Sequence, residues 1–129
     1  MSKLYLAMAC ALLAAALPLA AHHSVAAEFD STKPVTIKGT VTKIEWMNPH
    51  AWIYVDVKNE QGVVEKWQLE FGAPNELVRR GWRRTDVKEG QEVTIQGILA
   101  RKGGNTASAR SIVLPDGKRV FNGQAQAGE

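Results

Sequence analysis

From Lys33 onward the chain alternates. In "KPVTIKGTVTKIE", residues 33–45, Val35, Ile37, Gly39 and Val41 share one face, and Thr36, Lys38, Thr40 and Thr42 share the other. Period two with β-branched residues marks a half-buried strand. The next apolar positions are Ile44 and Trp46, so the phase slips, which predicts a bulge or strong bend near Thr42. "WMNPH" is a turn signal through Asn48-Pro49. Ala51 to Lys58 alternates again, with Ala51, Ile53, Val55 and Val57 facing in and Trp52, Tyr54 and Asp56 facing out. "KNEQG" closes a hairpin onto Val63–Phe71, where Trp67, Leu69 and Phe71 point inward and Lys66, Gln68 and Glu70 outward. In "GAPNELVRRGW", Pro74 suits a first helical turn and Glu76 the positive helix start. Arg79 and Arg80 suit its end, and Gly81 a cap, which predicts a short helix of about two turns. A fourth strand follows over Glu92–Ala100, then the glycine-containing loop "RKGGNTA", a fifth strand over Ala109–Leu114, and a turn at Pro115-Asp116-Gly117.

Three strands, a short helix and two more strands, with a bend midway along a long first strand, describe an all-β fold with one short helix. The specific expectation is a small five-stranded OB-like barrel in β-β-β-α-β-β order, with the helix plugging one end. A plain antiparallel sandwich is the alternative. No internal repeat is visible.

The start of the chain is different material. Met1 to Ala21 has one charge, Lys3, then a short apolar core and a small-residue end. That is the plan of a secretory signal peptide, and the run is short against the roughly 20 apolar residues a membrane span needs. The expected organisation is a signal peptide at 1–21, an N-terminal arm at 22–32, the OB-like domain at 33–121 and a flexible tail at 122–129. The protein is expected to be periplasmic or secreted, touching the membrane only through its leader. The single cysteine, Cys10, falls within that leader, so the remainder needs no disulfide. About 108 residues remain, enough for one small domain. Without Lys3 there are 15 basic and 13 acidic side chains. That balance, together with export, argues against a nucleic-acid partner.

The candidate chemistry lies in three histidines: His22, His23 and His50. Cleavage after Ala21 gives His22 a free α-amine beside its imidazole, and a second imidazole completes a three-nitrogen copper site. Cleavage after Ala20 starts the chain Ala-His-His. Its amine, two amides and the His23 imidazole then form a square-planar set suited to Cu(II) or Ni(II). Copper is therefore the candidate cofactor, with His50 completing the site if the terminus folds back, and Asp30 or Glu70 as a carboxylate partner that orients an imidazole. The plainer alternative has His50 bonding a nearby backbone group beside a structural Asn-Pro turn.

A separate candidate is the outward face carrying Trp52, Tyr54, Lys66 and Gln68. Aromatic planes interleaved with polar groups suit a glycan, a peptide or an envelope protein, on the face where OB folds often bind ligands. The competing use is burial of Trp52 under the N-terminal arm or a loop. "RRGWRR", residues 79–84, reads as a solvated helix end in preference to a lipid- or polyanion-binding run. "RKGGNTA" lacks the strand-to-helix context of a phosphate loop. Ser24, Ser31, Ser108 and Ser111 stand in no nucleophile motif, and Glu45, Asp56 and Glu70 form no evident acid pair, so an enzyme is not expected.

The stretches "HHSVAAEFD", "VTIKGTVTKIEWMNPHAWIYVDV", "WQLEFGAPNELVRRGW" and "ARSIVLPDGKRVFNG" resemble a family of small exported bacterial proteins grouped as a domain of unknown function. The double histidine followed by Glu-Phe-Asp, and the Trp-x-Asn-Pro-His turn, are its most specific marks. The resemblance covers His22 to about Gly123. It implies export and a single β-rich domain that includes the histidine stretches, and it implies no reaction. The expectation is an exported, non-enzymatic binding module.

Overall fold

A computed structural model of the chain describes residues 24–121. The expected leader, His22, His23 and the expected tail lie outside the described residues. The elements are α1 (Val25–Glu28), β1 (Phe29–Glu45), β2 (Trp52–Lys58), β3 (Val64–Glu70), α2 (Pro74–Arg79), β4 (Glu92–Ala100), β5 (Thr106–Val113) and β6 (Arg119–Phe121). The sheet runs β3-β2-β1-β4-β5-β6, and an added parallel pairing of β3 with β5 closes a ring of hydrogen bonds through five strands. This is the expected all-β class with a short helix between the third and fourth strands. Among the described residues no helix is long and apolar enough to cross a membrane.

The ring closes because β1 serves two neighbours. Its first half pairs with β4 from Pro34 to Thr40, and its second half with β2 from Thr40 to Glu45. The register between β1 and β2 slips between Val41 and Lys43, at the bulge predicted by the broken alternation. An extra residue there increases local twist and bends the strand. Ile37, Val41, Ile53, Val55, Leu69, Val93, Ile95, Ala107 and Ile112 turn inward and are buried. Alternation thus supplies one apolar wall from each of the five ring strands.

α2 seals one end. Pro74 occupies its first turn, and the chain ends in a Schellman arrangement. Trp82 N–H donates to Leu77 C=O at 3.0 Å, and Gly81 N–H donates to Val78 C=O at 3.0 Å. Gly81 holds φ +94°, the left-handed turn this motif requires. The reversal swings Trp82 back into the core, where it meets Phe71 edge-on at 5.3 Å and Trp46 at 6.4 Å between ring centroids.

Three differences from the sequence expectation have local causes. β1 begins at Phe29 rather than Lys33, because Phe29 is buried against Ile98 and Ala100 in a second, smaller cluster that also takes Val25. The β1–β4 pairing is irregular between Phe29 and Pro34, where proline has no N–H to give. β5 begins at Thr106, three residues before the apolar alternation becomes readable, since Thr106, Ala107 and Ser108 pair with β3. The short β6, which no alternation announces, pairs with the far end of β5.

Candidate functional site

The outer face of the ring carries a covered patch. Glu70, Thr106 and Ser108 are all buried, although their strand positions point away from the core. The register sets Trp52 beside Glu70, Glu70 beside Ser108, and Ser108 beside Ile98. Val25 and Phe29 pack on Ile98 and Ala100, so the chain just after His23 lies over this side of the sheet. Arg101 fastens it there. Its N–H donates to Glu28 C=O at 2.8 Å, its Nε donates to Ala26 C=O at 2.9 Å, and its guanidinium stands 3.8 Å from Asp30. Ser24 caps α1, its Oγ accepting from Ala27 N–H at 3.2 Å.

His50 meets this patch. Ala51 N–H donates to Gly72 C=O at 3.1 Å, and Phe71 N–H donates to Ala51 C=O at 2.8 Å, extending the β2–β3 ladder past the strand ends. Ala51 thus sits across from Phe71, and His50 and Glu70 stand diagonally across that ladder on its outer face. His50 Nδ1 lies 2.7 Å from Glu70 Oε1. His50 is partly open to solvent, whereas the Glu70 side chain is 5% exposed. The turn before His50 contains a cis Asn48-Pro49 bond.

The expected outward orientation of Glu70 holds, but the residue is buried. Strand alternation does place it on the outer face, but cover from elsewhere in the chain buries it. Burial pushes the Glu70 carboxyl above its ordinary value; His50 opposes that push and the nearby Glu28 carboxylate adds to it. An ionised carboxylate only accepts, so in the neutral imidazole Nδ1 carries the proton and Nε2 keeps its lone pair. This is the orientation that a carboxylate imposes on a metal-ligating histidine. The alternative of a backbone partner for His50 gives way to a carboxylate partner.

Of the two carboxylates proposed to orient an imidazole, Glu70 is joined to a histidine. Asp30 is engaged elsewhere. Its Oδ1 accepts from Thr32 N–H at 3.0 Å and from Thr32 Oγ1 at 2.6 Å. The side-chain hydrogen bond from Thr32, then the backbone one, hold the Asp30 carboxyl below its ordinary value. Among the described residues no group of three or more His, Cys, Asp or Glu side chains is placed to hold a metal. His50 and Glu70 form a pair and not such a group.

The sheet-face candidates divide. Tyr54, Lys66 and Gln68 line one open groove of about 450 Å³, together with Trp67 and the loop from Lys102 to Thr106. Trp52 is half-buried and is not part of that lining. Tyr54 OH donates to Glu45 Oε2 at 3.0 Å, with the Lys43 ammonium 5.2 Å from its ring centroid. Gln68 Nε2 donates to Thr106 Oγ1 at 2.8 Å. Sequence reading missed Glu28, Arg101 and Lys102. Glu28 stands in the Glu-Phe-Asp mark and Arg101 and Lys102 in the glycine-containing loop after β4, but nothing local in either stretch shows the contacts across the ring that bring them to a site.

A model described as a family of unknown function, DUF6152, matches residues 9–109. The chain belongs to that family. In this DUF6152 chain the matched span takes in both early histidines, the "WMNPH" turn, Glu70, α2 and the 101–105 loop, and it stops within β5. The stretch "ARSIVLPDGKRVFNG" lies almost wholly beyond it. Nothing among the curated proteins or the solved structures matches the chain significantly.

The Glu70 environment gives a signed pH prediction. The folded protein holds the Glu70 proton to higher pH than the unfolded chain, whose carboxyl titrates near 4.5. Stability linked to this group is therefore full below that value and is lost as pH rises through the raised folded pKa. In urea unfolding across the acidic-to-neutral range, Glu70→Gln should lack this decline. The gap between the two proteins should widen in favour of Glu70→Gln as pH rises. Parallel profiles would mean that Glu70 titrates alike in both states.

Proposed function

We propose that this protein is an exported, non-enzymatic binding module that holds copper between its early histidines and the turn before β2. The observation that carries this reading is the 2.7 Å contact between His50 Nδ1 and the buried Glu70 carboxylate. That contact fixes the ring and leaves Nε2 as a ligand atom. Two features support it. The chain that begins one residue after His23 is fastened over the same face by Arg101, Val25 and Phe29, and adjacent Cα atoms are about 3.8 Å apart. The Glu28 carboxylate also adds negative potential at Glu70, which favours a cation there. His22, His23 and His50 are the proposed ligands, and Glu70 orients His50. A nitrogen-rich set selects copper over oxygen-seeking cations. The periplasmic or secreted location rests on the leader-like start of the chain.

The test is a competition titration of copper against a chelator, using the chain processed to its mature N-terminus. His50→Ala should weaken binding by about 100-fold and Glu70→Gln by about tenfold, as orienting partners of metal ligands typically do. Equal affinity in His50→Ala sinks the shared site.

A second reading has its own observation. Tyr54, Lys66 and Gln68 share one groove with the β4–β5 loop, which suits a metal-free module that binds a glycan, peptide or envelope protein there. Trp52 has no part in that groove.

A further inference from the structure

β3 has an edge that the ring leaves open. It pairs with β2 in unbroken register from Glu70 to Val64. On its other side it pairs with β5 only at Gln68, Leu69 and Glu70. The chain preceding β5 does not continue along β3, because Gly103 and Gly104, with φ +84° and +78°, turn it away. The groove of about 450 Å³ lies where that strand would have run, between Lys66, Trp67 and the loop.

The exposed backbone groups can be assigned by alternation. Gln68 N–H donates to Asn105 C=O at 3.0 Å, so Gln68 turns its backbone groups away from β2. In an antiparallel ladder every second residue does the same. Lys66 and Val64 therefore direct an N–H and a C=O each to the open side, and among the described residues no strand pairs with them there. Their side chains share one face. Val64 is 54% exposed, and the Lys66 side chain is 87% exposed at 3.9 Å from Asp56. The groove lining holds two cations, Lys66 and Lys102, and no carboxylate.

We propose that this edge binds an extended acidic peptide segment that adds a strand to β3 in line with β5. Two features choose a polypeptide from the ligands of the sheet-face reading, on which this inference rests. The free N–H and C=O groups repeat at strand spacing, which the main chain of a peptide matches and a sugar ring does not. Cross-strand pairing then sets the side chains: an acid beside Lys66, with Lys102 nearby, and an apolar residue two positions away beside Val64. Self-pairing of two copies would bring like-charged lysines together, the usual protection of an open edge. The inference is independent of the histidine site.

The test uses the peptide Thr-Val-Thr-Asp-Thr-Val-Thr-Asp-Thr, whose alternate positions present Val and Asp on one face. In a nitrogen-15 NMR titration, the Val64 and Lys66 amides should shift and gain exchange protection. Lys66→Pro removes the outward donor while sparing the β2 ladder, and should weaken binding about tenfold. Lys66→Glu should weaken it about fivefold or more, and serves if the proline variant does not fold. Binding unchanged in both variants, shifts confined to other surfaces, or no binding at millimolar peptide overturns the proposal. If oligogalacturonate saturates the same amides and the peptide does not, strand addition fails while the sheet-face reading stands. If neither binds, both fail.

Discussion

Gly97→Ala and Gly39→Ala are each expected to destabilise the fold by about 3 kcal/mol. A Cβ on Gly97 would stand 2.3 Å from Ser108 O and 3.1 Å from Ser108 C. One on Gly39 would stand 2.2 Å from Asp56 O and 2.8 Å from Val55 Cγ1. The closest obstacle at each site is main chain of the neighbouring strand, which cannot rotate aside. Both glycines lie where the ring bends. Gly39 is next to Thr40, the residue at which β1 passes from β4 to β2, and Gly97 follows the register shift between β4 and β5. Gly103→Ala is the control. It has open space but φ +84°, so it should lose only about 1–2 kcal/mol of stability to backbone strain. Urea midpoints followed by tryptophan fluorescence compare the three. A Gly97→Ala protein no less stable than Gly103→Ala would contradict the close approach of β4 and β5.

Trp82→Ala is expected to cost about 3–5 kcal/mol, the range for emptying a large aromatic site in a core. In a domain of this size that lowers Tm by at least roughly 12 °C. Trp82 is 2% exposed and bridges Phe71 and Trp46. It arrives there because the α2 cap reverses the chain at Gly81, so the loss also loosens the helix that this reversal ends. The mutant should lose near-ultraviolet circular dichroism from the packed rings, whereas Arg80→Ala and Arg83→Ala, on exposed positions flanking it, should leave both signal and Tm nearly unchanged. A Trp82→Ala protein melting within a few degrees of the parent would show that the interior does not depend on this ring.

The strands were legible in the sequence because their inner faces alternate, and the slip at Thr42 was legible as a break in that alternation. Pro74 and Gly81 bracketed α2 through backbone chemistry that needs no tertiary information. Glu70 was not legible as a buried residue. Alternation tells which face a side chain takes, but its cover comes from chain far away in sequence. β5 was read too short for a related reason. Thr106 and Ser108 look like loop residues until β3 is paired beside them. The groove joins Tyr54 and Lys66 to a loop more than thirty residues downstream, and only the parallel β3–β5 closure brings them together. His50 was singled out by its turn. Its partner was one of two carboxylates proposed, and the ladder extension at Ala51 and Phe71 decided between them. His22 and His23 lie outside the described residues, so the part proposed for them rests on their place in the sequence just before Ser24.

The central claim is that the early histidines and His50 share one metal. The most direct measurement is to isolate the protein from its native compartment, sequence its N-terminus, and determine bound metal for the parent and for His22→Ala/His23→Ala. The account predicts a chain beginning at Ala21 or His22 that carries about one copper per molecule, with the double variant losing it. A correctly processed, metal-free protein that takes up copper no more tightly than the double variant would contradict it.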